Sequence, residues 1–112
     1  MMLKIVAAAV LAIFVAGAAE AACLAPAPPG IPDGKTASVD QMNNAAVAVK
    51  QYVKMLEFYQ ACLKKQDSDA PAGTTDEQRR IWLTQYNNAV DKMEEVANAF
   101  NAQLRIYKAR SQ

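Results

Sequence analysis

Met42, Ala45, Val49, Tyr52, Leu56, Tyr59 and Leu63 follow one another at alternating steps of three and four residues. Leu83, Tyr86, Val90, Met93, Ala97, Phe100, Leu104 and Tyr107 do the same further along. Such steps return to one face of a helix, because an α-helix turns once in about 3.6 residues. Each stripe must be covered, and a chain that doubles back over one short connection lets each cover the other. The pattern therefore predicts an all-α fold, a two-helix antiparallel hairpin, over residues 38–112.

Local chemistry sets the ends of both helices. In Ser38-Val39-Asp40-Gln41 a serine hydroxyl and a glutamine side chain can each satisfy a backbone group that has no helical partner. Helix A is expected over about 38–65, ending at Lys64-Lys65, whose charges suit the negative end of the helix dipole. Residues 66–74, QDSDAPAGT, hold Pro71 and Gly73 among short polar residues and read as a turn. Thr75-Asp76-Glu77-Gln78 repeats the capping pattern, and helix B is expected over about 75–110.

Ahead of the hairpin, Lys4 precedes an apolar run from Ile5 to Ala19, and Ala19-Glu20-Ala21 is a small-x-small triplet. That is the composition of a signal peptide, expected over residues 1–21 with cleavage before Ala22. The run is shorter than the roughly 20 residues of a spanning helix, so no stable membrane insertion is expected after cleavage. The remaining chain suffices for one small domain in the periplasm or secreted. Twelve Lys and Arg stand against eleven Asp and Glu, a net charge of +1, and the leader takes one of each, Lys4 and Glu20. Nothing in that balance calls for nucleic acid or an anionic surface.

Residues 22–37 contain every proline but Pro71, and they open on Cys23, one of two cysteines. In an exported chain the pair Cys23 and Cys62 is expected to form a disulfide. The lengths agree: Ser38 to Cys62 on a helix spans roughly 36 Å, and a polyproline-like segment from Cys23 to Ser38 reaches about 45 Å. The segment is thus expected to fold back along helix A as an extended strap, with Asp33-Gly34 making the bend. Helix A carries a second apolar stripe, Ala48, Met55, Phe58 and Cys62. The strap is expected to cover it, Leu24 and Ile31 packing down on Met55 and Phe58.

The sequence is poor in reactive groups. It has no histidine, which removes imidazole bases and histidine-bearing metal sites. The cysteines form no C-x-x-C, and no serine or threonine has a base beside it in a recognisable motif. Asp91, Glu94 and Glu95 lie on a straight helix with Lys92 among them, where a hard cation would want a loop of oxygens. No enzyme, cofactor or metal is expected. Trp82, Ala89, Val96 and Ile106 widen the apolar face of helix B. They form the expected interaction surface, for a homodimer closing a four-helix bundle or for an envelope or secreted protein partner.

The run C-L-x-P-x-P-P-x-I-P-D-G-x-T-A-S from Cys23 to Ser38, with Ala-Val-Lys-x-Tyr at 48–52 and Tyr-x-x-Cys-Leu at 59–63, resembles a group of small exported proteobacterial proteins. The resemblance covers Cys23 to Leu63, implies export and a shared architecture, and carries over no catalytic or binding residue. Thr74-Thr75-Asp76-Glu77-Gln78 is similar to the L-T-x-x-Q motif of helical periplasmic chaperones. Here threonine replaces the leucine, and the motif occurs once where that family repeats it. The function expected is that of a non-enzymatic exported helical protein acting through protein–protein interaction or self-association. A holdase-like periplasmic chaperone and a carrier of a small apolar ligand are the alternatives.

Overall fold

A computed structural model describes residues 22–110, which form two helices, α1 (Val39–Ser68) and α2 (Asp76–Arg110), and no strand. The helices pack together along their length as a hairpin. The expected signal peptide, residues 1–21, lies outside the described residues, as do Ser111 and Gln112.

Both capping sites operate. The Gln41 amide donates to the Ser38 hydroxyl at 3.1 Å and the Ser38 amide to Gln41 Oε1 at 2.8 Å, the reciprocal box. At α2 the Gln78 amide donates to the Thr75 hydroxyl at 3.1 Å. Helix α1 runs on to Ser68, past the expected stop at Lys65. Nothing in Gln66-Asp67-Ser68 breaks a helix, and the stop comes only as Pro71 approaches, since proline lacks an amide donor and disfavours helix before it. The turn is closed by the Thr74 amide donating to the Pro71 carbonyl at 3.1 Å and by Gly73 at φ 93°, a left-handed conformation that glycine adopts without a side-chain clash.

On α1 the buried residues are Met42, Ala45, Val49, Tyr52, Leu56 and Leu63, the expected stripe with Tyr59 half-buried. Helix α2 is turned by part of one residue's step: Met93 and Phe100 of the expected stripe pack against the core, but its other line does not. Its buried residues are Ala89 and Val96, whereas Leu83 and Val90, expected inside, are 60% and 39% exposed. The cause is complementarity of size. Ala89 belongs to one cluster with Val49, Tyr52 and Leu56 of α1, and a small residue facing large ones lets two helices approach and interlock.

The N-terminal segment is an extended strap tied by a disulfide between Cys23 and Cys62, with the Cα atoms 5.8 Å apart. Along it Cys23, Pro26, Pro29 and Pro32 are half-buried, every third residue, the period of a polyproline helix. Leu24 falls one position off that period and is 84% exposed, so it does not pack as expected. Met55 and Phe58 also stay in water, at 50% and 67% exposure. The strap runs closer to the helix–helix seam than expected. Ile31 packs against the core cluster as anticipated, and Ile31 and Pro32 line hollows against both helices, with Ala45 and Ala48 on one side and Ala102 and Ile106 on the other.

The bend into α1 is a compact turn in which Asp33 accepts three bonds. Its carbonyl takes the amides of Thr36 at 3.2 Å and Ala37 at 2.9 Å, and its carboxylate takes the Lys35 amide at 2.9 Å. Buried Gly34 rests on the backbone of α2. Its amide donates to Gln103 Oε1 at 2.8 Å, and its carbonyl accepts from Arg110 Nη1 at 3.0 Å. A methyl group on Gly34 would overlap the Gln103 carbonyl oxygen and stand 3.0 Å from the Tyr107 nitrogen, so the close approach requires glycine here.

Candidate interaction groove and loop-end cleft

Successive residues on a helix lie about 100° apart, so the buried line Ala89–Val96 divides the rest of α2 into two flanks. Ala99, Gln103 and Ile106 fall on one flank and line the hollow beside the strap. Leu83, Val90, Ala97 and Leu104, at steps of seven, fall on the other. On α1 the same division sets Gln41, Asn44 and Ala48 with the strap and Val39, Ala46, Val53 and Gln60 away from it. The two strap-free flanks meet where Gln60 Nε2 donates to the Tyr86 carbonyl at 3.2 Å. Among the described residues, the helix pair therefore has one groove filled by its own chain and one left open.

These positions revise the expected interaction surface. Ala89 and Val96, at 2% and 7% exposure, are core residues and cannot meet a partner. Trp82 is half-buried at the loop end of the seam, and Ile106 is half-buried beside the strap rather than on a free face. Beside the seam on the strap-free side, the apolar surface that stays open is the neighbouring stripe, Leu83 and Val90, with Ala97, Leu104 and Val53 half-buried; Met55 and Phe58 are exposed elsewhere on α1. Two adjacent stripes of α2 both repeat every seven residues, 82/89/96 and 83/90/97/104. The sequence alone favours the second as core, and the packing buries Ala89 and Val96 of the first.

At the loop end the open groove deepens into a cleft of about 340 Å³. Its floor is Leu63, Trp82, Leu83 and Tyr86, and its rim is Lys64, Asp67 and Arg79. Arg79 Nη1 holds the Asp67 carboxylate at 2.7 Å and the Asp67 carbonyl at 3.2 Å, tying the first turn of α2 to the last turn of α1. Lys64 Nζ stands 5.3 Å from the centre of the Tyr86 ring, a cation–π distance. Lys64 and Arg79 are both exposed and lie on different helices. What brings them together is the length of the loop and the rotation of α2, neither visible in a periodicity.

Other groups expected to be inert lie apart from this site. Asp91, Glu94 and Glu95 are exposed, and Lys92 pairs with Glu95 at 3.4 Å. Among the described residues no group of three or more His, Cys, Asp or Glu lies together as a metal site would require, and no helix is long and apolar enough to cross a membrane. No family model, curated protein or solved structure matches the chain.

Proposed function

We propose that this protein is a non-catalytic exported binding module, acting by protein–protein interaction through its open groove. The observation that carries the reading is the row formed by Leu83 and Val90, 60% and 39% exposed, with half-buried Ala97 and Leu104 on the side the strap does not reach. A row of aliphatic side chains repeating every seven residues is the surface into which another helix interdigitates. The occupant proposed is an amphipathic helix of an envelope or secreted protein. The disulfide supports export, since such bonds persist in oxidising compartments, and the N-terminal sequence supports cleavage before Ala22.

Val90→Glu tests the reading. The position is open, so the variant is expected to keep its helicity and its unfolding midpoint, within about 0.5 kcal/mol. It is expected to lose the partner that the wild-type chain retains when crosslinked in its own host's envelope. Retention of the same crosslinked species by the variant would discard the groove. Sedimentation of the wild-type protein tells a second copy from a foreign helix. Mass spectrometry of the exported chain is expected to find Ala22 at its start.

A further inference from the structure

We infer that the loop-end cleft, where the open groove deepens at Leu83, is a site for a small amphipathic carboxylate, a single aliphatic chain with an anionic head. The floor of Leu63, Trp82, Leu83 and Tyr86 is apolar and aromatic, and the volume of about 340 Å³ lies at the small end of the roughly 300–1,000 Å³ of ligand pockets. That size suits one alkyl chain rather than a cofactor. Charge selects the head group. Of the two cations on the rim, Arg79 is already neutralised by Asp67 at 2.7 Å. Lys64 pairs with no carboxylate among the described residues and is held over the Tyr86 ring instead. The rim thus carries one uncompensated positive charge directly above an apolar floor. A carboxylate could bind the ammonium while its tail covers Leu83, which is 60% exposed and leads into the open stripe.

Trp82 is the single tryptophan of the chain, and because it lines the cleft its emission reports occupancy directly. The oxidised protein is titrated with decanoate and with decanol, which share a tail and differ in the head. Decanoate is expected to give a saturable change in emission, with about fivefold tighter binding than decanol, the size of an exposed ion pair. Lys64→Gln is expected to erase that preference while leaving circular dichroism and the unfolding midpoint unchanged. Leu83→Glu is expected to abolish binding of both. Val90→Glu, one step of seven away, is expected to leave the titration as in wild type, which separates this site from the rest of the groove. The inference is overturned by an absent or unsaturable response, by equal affinity for the two heads, by a preference that survives Lys64→Gln, or by loss of binding in Val90→Glu.

Discussion

On the flank where the strap lies, the helices offer mostly alanines, Ala45 and Ala48 from α1 and Ala99 and Ala102 from α2, with Ile106 the one large aliphatic residue. On the opposite flank they offer Val53, Leu83, Val90 and Leu104 with the smaller Ala46 and Ala97. Small side chains let an extended backbone settle close to two helices at once. Large aliphatic ones hold a backbone off and interlock with the ridges of another helix. The filled groove also satisfies the polar groups of its occupant: Gly34 donates to Gln103 and accepts from Arg110, and Arg110 in turn stacks at 5.0 Å on Tyr107. On the proposed reading, the open groove takes a guest of another kind than the strap. It is not a vacant copy of the first.

The sharpest way to break this contrast is to release the strap. Closing a loop across the sequence separation of 39 residues contributes on the order of 4 kcal/mol by the chain-entropy estimate. Cys62→Ser is expected to lower stability by about that much in chemical unfolding, and reductant is expected to do the same to the wild-type chain but not to the variant. The alanine-lined flank would then be bare, and increased binding of a hydrophobic dye would follow. An unchanged unfolding midpoint would mean that the strap contributes nothing and that the two flanks differ only in composition.

Next in size is Gly34→Ala. The added methyl group meets helix backbone, the Gln103 carbonyl and the Tyr107 nitrogen, which cannot swing aside as a side chain does. Overpacking of this kind costs about 1–3 kcal/mol, against less than about 1 kcal/mol gained by stiffening the unfolded chain. A net loss is expected in the unfolding midpoint, accompanied by faster amide exchange at Gly34's neighbours Lys35 to Ala37. A neutral substitution would show that the turn is not seated on α2.

How much of this was legible in the sequence depends on whether a feature is local. The capping residues Ser38 and Thr75, the stripe of α1 and the bend at Asp33-Gly34 follow from nearby chemistry, the disulfide follows from there being only two cysteines to pair, and the structure has each of them. The buried face of α2 does not, because two stripes of equal period compete there. Ala89 prevails only because Tyr52 and Leu56 share its cluster, which is a property of the pair. The phase of the strap was legible in principle. Cys23 must point inward to meet Cys62, and at three residues per turn Pro26, Pro29 and Pro32 then point inward with it and Leu24 outward. Hydrophobicity alone misassigned Leu24; the covalent bond outranks it. Of the site, Trp82 and Leu83 were visible as apolar letters, but the meeting of Lys64, Asp67 and Arg79 depends on where α1 stops and how the loop returns.

The finest test places the same side chain on each flank. Ala48→Leu sets a large residue under the strap, against Pro29 to Pro32, which lie along the same side of α1 as Ala48. Val90→Leu enlarges a side chain that is already 39% exposed. If the flanks differ as described, the first costs about 1–2 kcal/mol by pushing the strap outward, and the second stays within about 0.5 kcal/mol, as open positions do. The strap offers an internal check, because in the Cys62→Ser background the Ala48→Leu penalty is expected to shrink as the strap loses its anchor, a coupling that a double-mutant cycle reads directly. Equal penalties on the two flanks, or a penalty at Ala48 that ignores the disulfide, would show that the alanines are not there to seat an extended chain. The case for a helical guest on the other side would then lose the comparison that supports it.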